Sequence, residues 1–111
     1  MNYVTVPAFK PLLSGSIAPA ISATSSTAYP LVTYPTDYPS DGRTLMVYNQ
    51  GANIIHFELN TAATGVAATI GKATPVPPGE RLFVGLDGDE THVVAIATSG
   101  PSTTSFTIGS F

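Results

Sequence analysis

The stretch "RTLMVYNQGANIIHFELN", residues 43–60, decides the reading of the fold. Successive side chains of an extended strand point to opposite faces. In residues 43–49 this puts Leu45 and Val47 on one face, with Thr44, Met46 and Tyr48 on the other. In residues 54–60 it puts Ile55, Phe57 and Leu59 together, with Ile54, His56 and Glu58 opposite. The link "NQGAN", residues 49–53, is rich in residues that tolerate a positive φ. Two alternating runs around a Gly-containing link predict a β-hairpin.

Working outward, the same pattern continues to the C-terminus. "GVAATIG" (65–71) reads as a short strand or an irregular crossing, and "TPVPPGE" (74–80) as a turn. "RLFVGL" (81–86) groups Leu82, Val84 and Leu86 against Arg81, Phe83 and Gly85, and "DGDE" (87–90) is a polar turn. "THVVAIAT" (91–98) is apolar on both faces, as a central buried strand is. "TTSFTIGSF" (103–111) ends the chain with Phe106 and Ile108 inward. Turn signals every eight to twelve residues or so are those of a sandwich or barrel. No stretch sustains a 3.6-residue period, so almost no helix is expected.

The first part of the chain has a different texture. Residues 1–42 hold six of the ten prolines. "NYVTVP" (2–7) predicts an edge strand ended by Pro7, and "PAISATSSTAYPLV" (19–32) one or two strands. In "YPLVTYPTDYP" (29–39), each proline fixes φ and each preceding Tyr29, Tyr34 or Tyr38 is pushed towards extended geometry. This is a stiff strap, lying over its own domain or over a partner. The expected fold is therefore all-β: a single β-sandwich, jelly-roll-like, or a barrel. Residues 1–42 form a Pro-rich extended arm with edge strands, and residues 43–111 the sandwich core, within one domain.

Composition narrows the function. The chain has 111 residues, enough for one domain, and no cysteine, which excludes disulfides and thiolate metal sites. Charged residues make up 10%, against about 25% in an ordinary soluble domain. Lys10, Arg43, Lys72 and Arg81 are scattered, so the basic footprint of a nucleic-acid binder is missing. No apolar run is long enough to predict a membrane span, and the N-terminus lacks the pattern of a signal peptide, so synthesis in a cytoplasm is expected.

Catalytic chemistry has few carriers. His56 and Glu58 read as an exposed polar pair, since two residues fall short of the usual three or four ligands of a metal site. Asp87, Asp89, Glu90 and His92 are weighed as a cation loop but read as a solvated hairpin turn, because Asp and Gly are ordinary turn formers. No G-x-S-x-G and no Gly-rich phosphate loop occurs. The reading is not an enzyme, with no catalytic residue, cofactor or metal. The candidate contact residues are aromatic and apolar: Met46, Tyr48, Ile54 and Phe83 opposite the expected core face, and Tyr29, Tyr34 and Tyr38 on the strap. Tyrosine is enriched at interfaces.

The second part of the chain resembles a known family. Asn49 to Gly51 after a strand, Pro78 to Glu80, Val93 to Ala97 and the Thr/Ser-rich last strand are similar to the pattern of small decoration proteins of tailed-bacteriophage heads, also called cement or staple proteins. The resemblance covers residues 43–111, roughly 60% of the chain; residues 1–42 match no pattern of the family. It implies a non-enzymatic β-sandwich that binds the outer surface of a phage head and clamps neighbouring major capsid subunits. It also implies a dimer or trimer of identical chains, made in the host cytoplasm and finishing on the capsid exterior, with no nucleic-acid or membrane partner. The competing reading is another virion or cell-surface binding module, a tail or fibre component or a carbohydrate-binding sandwich.

Overall fold

The structure, a computed structural model, describes residues 9–64 and 67–111. Among these residues there are nine strands and no helix: β1 (Lys10–Ile17), β2 (Ala20–Ile21), β3 (Thr27–Pro30), β4 (Arg43–Asn49), β5 (Ile55–Asn60), β6 (Thr74–Val76), β7 (Arg81–Gly85), β8 (His92–Ala97) and β9 (Ser102–Ser110). They form two antiparallel sheets. The first runs β1-β9-β4-β7, with β2 also paired to β9; the second runs β3-β8-β5-β6. Their inner faces meet in one core. Ile21, Leu45, Val47, Phe106 and Ile108 come from the first sheet, and Ile55, Phe57, Val76, Val93, Ala95 and Ala97 from the second. This is the expected sandwich; of the residues read as inward, Leu45, Val47, Ile55, Phe57, Phe106 and Ile108 are buried and Leu59 packs partly buried against them.

The expected hairpin is not there. β4 pairs with β7 and β9, whereas β5 pairs with β6 and β8 in the opposite sheet. The link at residues 50–54 is an arch from one layer to the other. Alternation cannot separate the two cases, because in both the apolar faces of adjacent strands look into the same core. Asn49 makes the difference. Fully buried, it donates from Nδ2 to the carbonyls of Asn53 (2.7 Å) and Val76 (2.8 Å). Its Oδ1 accepts from Ser102 Oγ (2.8 Å) and the Gly51 N–H (3.1 Å). A Cβ on Gly51 would collide with Ser102, so the arch closes against β9 only with glycine there.

The links β6–β7, β7–β8 and β8–β9 also cross between sheets. The "DGDE" segment is therefore an arch, not the turn of a hairpin. Residues 74–80, read as a turn throughout, begin with β6; Pro75 is tolerated because β6 is an edge strand. The turn proper is Pro77–Glu80, closed by the Glu80 N–H on the Pro77 carbonyl (3.2 Å).

In the first part of the chain, β1 and β2 flank β9 and β3 flanks β8. The Ser22 carbonyl accepts from the Ala97 N–H (2.8 Å) where the chain passes between sheets. Residues 10–30 thus supply edge strands to both layers. The expected strand at residues 2–7 lies outside the described residues. So does the start of the 65–71 segment; its described part is a turn, not a strand, with the Ala73 N–H on the Thr69 carbonyl (2.9 Å). Ala68 and Ala73 bury against Val94 and Ile96 on the outer side of β8. That cover is why β8 is apolar on both faces.

The reading of His56 is also corrected. It lies on the outer face of its sheet as expected, yet it is buried, and its Nε2 shares a 3.1 Å hydrogen bond with Thr98 Oγ1. It is not an exposed polar pair with Glu58.

Asn49→Ala leaves buried donors and acceptors unmatched at several points and is expected to destabilise the fold by about 3 kcal/mol or more. Asn49→Asp, which keeps the shape but cannot donate to two carbonyls, is expected to be as damaging at neutral pH. Chemical denaturation checks both; an Asp variant as stable as the parent would contradict the assignment.

Candidate functional site

The outer face of the β1-β9-β4-β7 sheet carries the largest grouping of exposed aromatic side chains among the described residues. Register sets its membership. Met46 on β4 lies opposite Phe83 on β7 and Thr107 on β9; Tyr48 lies opposite Arg81 and Ser105; Thr44 lies opposite Gly85 and Gly109. Phe111 continues the parity of Thr107 and Gly109, and Phe9 precedes β1. The rings of Phe9, Phe83 and Phe111 form a triangle, with centroids 5.3 Å, 5.7 Å and 5.4 Å apart in tilted and edge-on pairs. Such pairs are worth about 0.5–1.5 kcal/mol beyond burial alone.

This cluster is partly wet. Phe83 is 44% exposed and Phe111 49% exposed, while Met46 and Tyr48 are half-buried. Thr44, an outward residue, is nevertheless buried. Gly109 forms part of the floor: a Cβ there would strike the Lys10 carbonyl and the Phe9 ring. At the far end the Arg81 guanidinium sits 4.4 Å from the centre of the Tyr48 ring. The face is thus an apolar patch of phenylalanines in tilted and edge-on contact, shading through Met46 to a cation-capped tyrosine.

Of the residues singled out from sequence, Met46, Tyr48 and Phe83 come together here. Ile54 is 39% exposed but stands apart, in the β4–β5 arch. The three tyrosines of the strap turn to their own domain. Tyr29 pairs with Val93 and packs against the core. The Tyr34 hydroxyl donates to the Gly109 carbonyl (2.5 Å) and accepts from the Gly109 N–H (3.1 Å). Burial pushes the Tyr34 phenol above its ordinary pKa, against the opposing pull of the Gly109 and Thr44 backbone and Arg43, so it stays a neutral donor.

Tyr38 stacks on Tyr34 at 4.8 Å and bonds Ser110 Oγ (2.9 Å). Arg43 locks the strap from beside it. Its guanidinium lies 4.4 Å from the Tyr34 ring centre and donates to the carbonyls of Tyr38 (2.8 Å) and Pro39 (3.0 Å). Between Tyr34 and Pro39 the strap therefore lies on its own sheet.

Sequence reasoning missed Phe9 and Phe111. Phe111 was within reach, because the alternation that turns Phe106 and Ile108 inward turns residue 111 outward. Phe9 gave no signal of its own.

The acidic arch does not gather ligands. Among the described residues no three His, Asp or Glu side chains converge to hold a metal ion. Glu90 accepts instead from the N–H groups of Asp87 (2.9 and 3.1 Å) and Gly88 (3.0 Å). His92 Nδ1 shares a 2.7 Å bond with Thr91 Oγ1. Burial acts to raise the Glu90 pKa, but the hydrogen bonds from the backbone N–H groups of Asp87, Glu90 itself and Gly88 outweigh it and hold the carboxyl below its ordinary value. A cavity of about 250 Å³ lies between this arch and the strap, lined by Pro30 to Tyr34, Arg43 and Glu90. Its charged groups are already engaged as described.

Neither a protein-family model nor a curated protein sequence matches the chain.

Two outcomes follow from this geometry. Tyr34→Phe keeps the ring and removes the hydroxyl, and is expected to lower stability by about 1–2 kcal/mol in denaturant titration. Glu90→Gln is expected to cost a little stability at neutral pH. A carboxyl whose folded pKa is depressed stabilises above its unfolded pKa and loses that contribution as pH falls through the folded value. The parent and the Gln variant should therefore converge below the ordinary carboxylate range, as thermal melts across pH 2–7, a span of about five units, would show.

Proposed function

We propose that the protein is a non-enzymatic virion structural protein. It attaches to the outside of a phage head through the outer face of the β1-β9-β4-β7 sheet and clamps neighbouring major capsid subunits. The observation that carries this reading is the partly exposed Phe9–Phe83–Phe111 cluster continuing into Met46 and Tyr48. A rigid aromatic patch with a polar margin has the make-up of a binding core, where aromatics and Met are enriched and charge is depleted. The resemblance of residues 43–111 to head decoration proteins supplies the identity of the partner.

The physics suits the role. With 10% charged residues, the surface offers little long-range repulsion to a protein lattice. Contact with a flat shell needs a broad rigid face, not a cleft, and a sheet anchored on a packed core supplies one without ordering new chain. Many copies at equivalent sites sum modest contacts into a firm hold.

Co-sedimentation with heads lacking this protein tests the proposal. Saturable pelleting at a fixed copy number per coat subunit is the expected result. The double substitution Phe83→Ser and Phe111→Ser is expected to weaken pelleting by about a hundredfold, in line with the loss of two central aromatics, while circular dichroism shows the fold retained. Folded protein that does not pellet would remove the reading.

A further inference from the structure

Among the described residues the two sheets end in four edges. Three carry features that discourage pairing with another chain. β1 begins Lys10–Pro11 and is broken by a bulge, with Ser14 at φ 57° and the register shifting between Pro11 and Ser16. β3 ends in Pro30, and β6 has Pro75 at its centre. β7 has neither proline nor bulge, and among the described residues no strand pairs with its outer side.

The hydrogen-bond parity of β7 is fixed. The Leu86 N–H donates to the Arg43 carbonyl (2.9 Å) and the Asn49 N–H to the Glu80 carbonyl (3.1 Å). In the antiparallel register that joins Leu82 to Val47 and Val84 to Leu45, the even-numbered residues therefore address β4. The N–H and C=O groups of Arg81, Phe83 and Gly85 address the open side. A Cβ on Gly85 would meet nothing within 4 Å.

We infer that two copies of the chain pair edge to edge through β7, antiparallel about a two-fold axis at Phe83. A symmetric interface must be self-complementary, and this edge is. With Phe83 opposite Phe83 of the second copy, Arg81 falls opposite Gly85 and Leu82 opposite Val84. The three outward residues then occupy hydrogen-bonded positions, so each outward N–H finds an outward carbonyl. Phe83 meets its counterpart at about 5.5 Å between Cα atoms, joining the two phenylalanine clusters into one continuous outer face. Asp87, in the arch two residues beyond the end of β7, falls near Arg81 of the second copy, within reach of its long side chain. The edge is thus complementary to itself in hydrogen bonding, apolar contact and charge. The pairing does not depend on what the outer face binds.

The test uses the free full chain, with no capsid present. Sedimentation equilibrium is expected to show a concentration-dependent rise to twice the 11.4 kDa chain mass. Gly85→Pro removes one outward N–H without touching the rings or the bonds to β4, and is expected to weaken the dimer by about tenfold or more. Arg81→Asp and Asp87→Arg each set like charges across the axis and should weaken it too, while the double variant Arg81→Asp with Asp87→Arg should restore it. A single-chain mass at all concentrations would overturn the inference. So would a dimer unaffected by Gly85→Pro, or charge reversals that fail to rescue one another.

Discussion

The carboxamide of Asn49 uses its two N–H groups and both acceptor directions of its oxygen, all inside the fold. Its backbone adds two more bonds, accepting from the Gly79 N–H (2.8 Å) and donating to Glu80. One side chain thereby ties the end of β4 to the β4–β5 arch, to the last residue of β6 and to the first residue of β9. Those are the points where the chain leaves one sheet for the other. A buried polar group with every partner present specifies a single arrangement; with one partner missing it would favour unfolding. The sandwich is closed at this end by that completeness.

From this closure the position of the aromatic face follows. With β4 held between β7 and β9, Leu45 and Val47 must enter the core, and Met46 and Tyr48 must leave it. The same register sets Phe83 beside Met46 and Gly109 beneath Phe9. Tyr34, anchored on the backbone of Gly109 and braced by Arg43, fixes the end of β9 from which Phe111 projects. The strap is thereby a support of the face, acting from beside it.

Much of this was legible in the sequence. Period-two alternation identified the inward residues of β4, β5, β7 and β9, since burial of one face is what selects it. It also placed Met46, Tyr48 and Phe83 outside. What alternation does not encode is which strand sits beside which: Leu45 and Ile55 look the same whether their strands are neighbours or lie across the core. Pro75 masked β6, because proline signals a turn unless the strand is known to be an edge. His56 read as exposed because alternation gives the face of the sheet and not whether that face is covered; between Pro75 and Ile96 it is buried. The tyrosines of the strap are chemically suited to an interface, and Tyr34 and Tyr38 use that same chemistry within the domain.

The proposed attachment makes the phenylalanine face the surface that a phage head would cover. Hydroxyl-radical footprinting of the protein free and bound to heads measures it directly, because the residues at issue are among the most readily oxidised. Binding through this face is expected to shield Met46, Tyr48, Phe83 and Phe111 while leaving Ile70, which is exposed outside that face, as reactive as before. Protection of Ile70 with undiminished oxidation of Phe83 and Phe111 would contradict it.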